Sequence, residues 1–376
     1  MQITRRAFGL GALAFSAACS ASVPAQARRL KLLVLGGTNF VGPATVEAAV
    51  RGGHEVTLFN RGKTNPGMFP KLEQIRGDRD EKSENLAGLQ GDRRWDAVID
   101  IWPADFTMSQ RSGELLKDRV SRYIYVSSIS AYQRLVTPGA TEAYPLVTDA
   151  TDPTEYGYNK AETERRLSGM YGDRFSSVRP PPILGWRNES DALSFWAVRM
   201  ARGGDVIGVG DEHDHIQFTD VKDVGEWLVR IAEHDHPGAF NVVGPRQPMK
   251  FRDFLERIRG ATGNRANIVW MPYDFLTAQG VTDFSVDFPL YRPLQWTKSK
   301  GFYFVDSSRA LGAGTRFRPL DETVADELRW FPEYRGADFE FGGPGKPKDT
   351  PYWLRMGITR ERERELIDAW RRPAAA

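Results

Sequence analysis

The stretch KLLVLGGTNFVG, residues 31–42, decides the reading of the fold. Residues 31–35 form an apolar run that reads as a buried strand, and a glycine-rich turn follows it. A helical pattern then runs from about Pro43 to Arg51 and stops at Gly52-Gly53. A strand–turn–helix of this kind can cradle a pyrophosphate. Glycine lets the backbone come close to the ligand, and the N–H groups of the next helix point at it. The three-glycine spacing falls on Gly36, position 39 and Gly42, but position 39 is asparagine. Asparagine tolerates left-handed backbone better than other residues with a side chain, so Asn39 is expected to hold the turn. Its side chain is a further candidate donor to phosphate. Taken alone, the motif also fits a plain structural turn.

Working outward, strands are expected at 55–60, 73–78, 95–102, 122–130, 175–180 and 238–245. Helical patterns fall between them, at 105–118 and near 153–170, where Asp152, Pro153 and Glu155 make a start signal. Residues 215–234 read as a strand turning into a helix, and 359–372 as a solvated charged helix. Alternating strands and helices predict an α/β chain with a Rossmann-type doubly wound parallel sheet. The expected division is an export signal over 1–27, a nucleotide-binding domain over 28–185 and a smaller, interleaved substrate region over 186–376.

The chain has 376 residues, 51 basic and 49 acidic, for a net charge of +2. That balance gives no electrostatic case for a nucleic-acid partner. The N-terminus carries the twin arginines Arg5 and Arg6, a short small-apolar run and the cleavage pattern Ala25-Gln26-Ala27. It resembles a twin-arginine export signal, so the export machinery is an expected partner and the periplasm the expected location. The single cysteine, Cys19, lies inside that segment; cleavage leaves a mature chain without thiols, and lipidation of Cys19 is the alternative. No stable membrane insertion is expected after cleavage. A homo-oligomer is left open.

The chemistry-bearing residues follow in order. The second strand ends at Asn60, where an NAD-selective site carries an acid for the ribose 2′-hydroxyl. Arg61 and Lys63 stand nearby instead and favour NADP, with NAD as the alternative. Tyr156 and Lys160 are four apart on an expected helix and so share a face. A tyrosine beside an ammonium and an oxidised nicotinamide is a candidate proton carrier. Ser127 and Ser128 lie at the end of the fifth strand, where ligands bind in open α/β sheets.

The loop, strand-end serine, Tyr-x-x-x-Lys, VRPPPILG and FTDVKDVG, in this order, resemble the extended short-chain dehydrogenase/reductase superfamily, in its NAD-dependent epimerase/dehydratase branch. The resemblance covers roughly 31–330. It implies Ser128 as the catalytic hydroxyl, four before Tyr132, with Tyr156 as acid/base and Lys160 as its partner. It implies a phosphate loop of Gly36, Gly37, Thr38, Asn39, Phe40, Val41 and Gly42. It further implies Arg61 at the adenosine ribose, Asp78 near the adenine, and Val178-Arg179-Pro180-Pro181 beside the nicotinamide. Trp102-Pro103 departs from the family's usual apolar pair.

An exported enzyme has little free cofactor to exchange with, so one that retains it is expected. Epimerisation or dehydration of a sugar or related polyol through a transient ketone meets that need. The alternatives are an NADPH-dependent carbonyl reductase and a non-catalytic cofactor-binding protein, a sensor or RNA-associated. Trp186, Trp196, Trp270, Tyr291 and Trp296 are candidates for stacking on a sugar ring, or for ordinary packing. The segment GDEHDHIQF, 210–218, is expected to be an exposed turn, and no metal site is assigned.

Overall fold

The computed structural model describes residues 28–80, 85–101, 105–149, 155–211, 213–343, 351 and 354–372. The export signal over 1–27, the helix-start residues Asp152 and Pro153, and Trp102-Pro103 lie outside the described residues. Among those described, no helix is long and apolar enough to cross a membrane.

The first half alternates as expected except that β2, β3 and β4 follow one another with no α-helix between them among the described residues: β1 (Lys31–Leu35), α1 (Val41–Arg51), β2 (Glu55–Asn60), β3 (Glu73–Arg76), β4 (Trp95–Asp100), α2 (Phe106–Leu116), β5 (Val120–Val126), α3 (Glu155–Tyr171) and β6 (Phe175–Arg179). The second half contains β7 (Ile183–Leu184), α4 (Asp191–Arg202), β8 (Gly204–Val209), β9 (His215–Asp220), α5 (Val221–His234), β10 (Gly238–Asn241), β11 (Gly244–Lys250), α6 (Phe251–Ala261) and β12 (Ala266–Met271). After these come α7 (Tyr273–Ala278), α8 (Phe284–Asp287), α9 (Ser308–Gly312), α10 (Leu320–Arg335) and α11 (Arg360–Arg371).

Seven parallel strands form the main sheet in the order β10-β6-β5-β4-β1-β2-β3. Successive side chains of a strand face opposite ways, and the sequence fills both faces. In β1, Leu32 and Val34 pack toward α1 and α5, while Leu33 and Leu35 join the layer that holds Tyr123 and Leu167. In β5 the same alternation sends Ile124 and Val126 one way, Tyr123 and Tyr125 the other. Two buried faces per strand are what a doubly wound sheet between helical layers requires. A third apolar core, built from α4, β8, α6, β12 and α10, forms the second half. The late elements α5 and β10 return to the main sheet, where Phe240 of β10 pairs with Val178.

The fifth strand ends at Val126, earlier than the expected 130. Ser128 turns the chain there: its hydroxyl accepts from the Ser130 N–H at 3.1 Å and caps a single 3-10 turn over Ile129–Ala131. That break leaves Ser127 and Ser128 at the carboxyl edge of the sheet.

Candidate active site

Chain order along the sheet reverses between β1 and β4, and a crevice opens beyond the carboxyl ends of strands at such a point. A cleft of about 1050 Å³ lies there, and its wall includes Gly36–Val41, Asn60–Thr64, Asp78, Ser127, Ser128, Tyr156, Lys160 and Pro180.

At the phosphate loop, Gly36 and Gly37 have φ of 115° and 92°, conformations closed to most side chains. The third left-handed position corrects the expectation. Asn39 is not among the residues with positive φ; Phe40 is, at φ 45°. Packing explains the exchange, because the Phe40 ring lies against the apolar layer beneath α1 and α5, which offsets the backbone cost. Asn39 is exposed, and its carbonyl accepts from the Gly42 N–H at 2.9 Å. Gly42 is needed for proximity: a Cβ there would lie 2.6 Å from the Gly37 backbone. The side chain of Asn65 donates to the Thr38 carbonyl at 2.8 Å and joins this loop to the one after β2.

Beyond β2, the Asn60 side-chain oxygen accepts from the Gly62 N–H at 2.9 Å and from Arg76, while its buried nitrogen has no partner among the described residues. Arg61 and Lys63 are exposed on the cleft wall and make no ion pair among the described residues. Asp78 pairs through its backbone with Asn85, and its carboxylate accepts from the Asp80 N–H at 3.1 Å. Arg79 also lines this end, fixed by Asp100 at 2.9 Å; Asp100 is itself held by Ser109 and Tyr123, each at 2.8 Å. The sequence reading missed Arg79 on the cleft wall, and Asn65 and Arg76, which brace the loops after β1 and β2, since each is tied in by a contact across the fold that no local pattern marks.

The centre of the cleft holds the catalytic candidates. Tyr156 is 40% exposed and Lys160 is 2% exposed, although they share one face of α3. The Lys160 ammonium donates to the Val126 carbonyl at 2.8 Å and lies 4.8 Å from the Tyr125 ring and 5.6 Å from the Tyr156 ring. Burial pushes its pKa down to about 8; Asp100 and Glu164 act in the opposite direction. Ser128 is half-buried beside Ser127, whose buried hydroxyl has no partner among the described residues. An arrangement of this kind can carry a proton at one exposed phenol while its lysine stays anchored to β5.

Arg179, expected at the nicotinamide, lies elsewhere. It is 4% exposed and absent from the cleft wall, with its guanidinium on Glu164 at 2.6 and 2.9 Å and on the Tyr132 hydroxyl at 2.9 Å. The β pleat gives the reason: Arg179 points toward α3, and the chain reaches the cleft only at Pro180. Tyr132 is buried as well and donates to Asn241 at 2.7 Å. Arg179 therefore ties α3 to β6 from behind.

In the second half, Asn188, Ser190, Leu290, Arg292, Phe302 and Met356 line the cleft. Among the aromatic residues considered for stacking, Tyr291 alone lies on the described wall. Trp196 is fully buried and donates to the Pro289 carbonyl at 2.7 Å; Trp270 packs beneath Arg252. The acidic turn also differs from expectation, because Asp214 is 2% exposed and faces inward.

The comparisons agree with this geometry. The chain is 29% identical over 237 residues to the chloroplast stem-loop binding protein of 41 kDa b of Arabidopsis thaliana, a match covering 57% of this chain and 59% of that one. It therefore spans less than two thirds of that relative. It is 27% identical over 263 residues to a 2'-dehydrokanamycin reductase of Streptomyces kanamyceticus, covering 66% of this chain and 72% of the relative. Among solved structures, the Bordetella bronchiseptica enzyme WbmH in complex with NAD+ superposes with a TM-score of 0.59 at 19% identity, covering 82% of this chain and all of that one, which shows the fold. Residues 32–243 match the NAD dependent epimerase/dehydratase family, so more than half of the chain carries the family pattern and the chain belongs to that family.

Proposed function

We propose that this chain is an NAD(P)-dependent oxidoreductase that interconverts a secondary alcohol and a ketone. The observation that carries the reading is the convergence of Ser128, Tyr156 and Lys160 on the same cleft as the Gly36–Val41 loop. The residues fit a dinucleotide. Two glycines with positive φ open the loop, Gly42 lets α1 approach, and the Asn60 amide nitrogen and Ser127 hydroxyl, without a partner among the described residues, are available to a ligand. A nicotinamide bound there would supply hydride transfer to or from the carbon that bears the reacting oxygen, in one direction for a reductase and in both for an epimerase.

The protein's part is orientation and proton transfer. Ser128 hydrogen-bonds the reacting oxygen, and Tyr156 takes the carbinol proton or donates one to the carbonyl oxygen. Lys160 supplies positive charge behind Tyr156 from its anchorage on Val126. Arg61 and Lys63, which make no ion pair among the described residues, with Asn60 in the place of an acid, favour NADP. Export by the twin-arginine route, with the cofactor kept through each cycle, is part of the proposal and suits an epimerase or dehydratase. A polyol substrate has less support, because four of the five aromatic residues that suggested it are absent from the described wall. The 2'-dehydrokanamycin reductase lends weight to carbonyl reduction. The stem-loop binding relative favours RNA as a second reading, against which stand the intact Ser128–Tyr156–Lys160 set and the near-neutral charge.

Tyr156→Phe tests the assignment. It should abolish turnover while cofactor binding stays within about twofold, since it removes the proton carrier and leaves the loop intact. Undiminished turnover would remove Tyr156 from the chemistry.

A further inference from the structure

At the substrate end of the cleft, Arg292 lies on a segment fixed on both sides. The Tyr291 hydroxyl donates to one oxygen of Asp214 at 2.7 Å, and the Leu294 N–H donates to the other at 2.8 Å. The Tyr303 hydroxyl donates to the Leu290 carbonyl at 2.7 Å, and Leu290 is held at φ 71°, a strained conformation for a bulky residue. The Arg292 guanidinium stacks on the Phe302 ring at 4.2 Å and makes no ion pair among the described residues. A half-buried cation so positioned, without a counter-charge, is ready for an anion, and the edge of its plane suits a carboxylate.

The surroundings narrow the ligand. Leu184, Leu290, Phe302 and Met356 make this end apolar. Its polar groups are largely committed: Asn188 donates to Ile183 and accepts from the Ser190 N–H, and the Ser285 hydroxyl donates to Asp283. A polyhydroxylated ligand would find few partners there. Arg292 is the cation of this end among the described wall residues, enough for a singly charged anion and short of what a nucleoside diphosphate brings.

We propose that Arg292, positioned by Asp214, reads a carboxylate on a substrate whose body is apolar, so that the substrate class is an alkyl- or aryl-substituted keto acid or the matching hydroxy acid. The proposal rests on the oxidoreductase reading for the reaction but not for the binding.

The experiment uses the full chain loaded with cofactor, a panel of such keto acids, and their methyl esters. Binding is measured by calorimetry and turnover by cofactor oxidation. The acids should bind at least about tenfold more tightly than the esters. Arg292→Met should cost the acids about ten- to a hundredfold and the esters less than about twofold. Arg292→Lys should restore part of the loss, and Asp214→Asn should weaken the acids alone and by less. Equal loss on acids and esters, tighter binding of the esters, or preference for a uridine diphosphate sugar overturns the proposal. Failure of every acid to bind does so too. Acids that bind through Arg292 without turnover refute the oxidoreductase reading and leave the anion site standing; turnover confined to esters does the reverse.

Discussion

Two glycines of this fold meet backbone at the same short range, and together they separate fold stability from ligand binding. A Cβ on Gly42 would lie 2.6 Å from the Cα and carbonyl carbon of Gly37; one on Gly225 of α5 would lie 2.6 Å from the carbonyl carbon of Ala44 in α1. Ordinary contact begins near 3.4 Å, so each alanine must push its neighbour away by about 0.8 Å. Neither obstacle is a flexible side chain, so the strain goes into the join of α1 to its loop for Gly42→Ala and into the packing of α5 on α1 for Gly225→Ala. Overpacking of this kind costs about 1–3 kcal/mol, and Gly42→Ala and Gly225→Ala should therefore lower unfolding free energy by similar amounts. Their effects on cofactor should differ. Gly42→Ala parts the first turn of α1 from the loop whose N–H groups face phosphate, and a lost charge-assisted hydrogen bond weakens binding by about ten- to a hundredfold. Gly225→Ala shifts α5 against α1 outside the loop and should change affinity by less than about threefold. The assay is urea unfolding of each variant beside an NADP+ and NAD+ titration. Equal losses of affinity, or full affinity in Gly42→Ala, would refute the assignment of this loop to phosphate.

Other outcomes follow from the same coordinates. Replacing Arg61 and Lys63 by alanine should weaken NADP+ by about tenfold or more and leave NAD+ within about twofold, as read by titration at low and moderate salt; parallel losses would place the 2′-phosphate elsewhere. Burial pushes the Glu327 carboxyl up to about 8, although the Ser194 hydroxyl donates to it, and Asp191 and Asp220 add to the rise. The native state thus holds a proton that the unfolded chain releases near its ordinary value of 4.5. This contribution is full below that value and is lost as pH rises toward about 8, at about 1.4 kcal/mol per pH unit. Glu327→Gln should remove the slope, so its unfolding free energy should gain on the wild type from acid to neutral pH; parallel curves would contradict the buried neutral carboxyl.

The parts of the molecule legible in its sequence are those where a local pattern has a single structural solution. The apolar run of β1, its glycines and the helical period of α1 each constrain the same segment, and the four-residue spacing of Tyr156 and Lys160 places both on one face. The turn at Ser128 was half legible: a strand-end serine was visible, but not its role as a cap that ends β5 early. What remained hidden depends on distant packing. Phe40 takes the left-handed position because a layer built partly from α5 supports its ring. The family resemblance implies Arg179 as a nicotinamide neighbour, yet the pleat of β6 turns it toward Glu164. The parallel pair of β8 and β12 joins Gly204 to Ala266, and Asp214 fixes residues near 291, separations that no short-range pattern reports.

The central claim is that this cleft holds a nicotinamide dinucleotide, and denaturing the purified protein and weighing what it releases tests that claim most directly. The account predicts NADP(H), or failing that NAD(H), in stoichiometric amount, with tight rebinding of the same molecule by the refolded or emptied protein. Release of no nicotinamide nucleotide, together with no binding when one is titrated in, would contradict it.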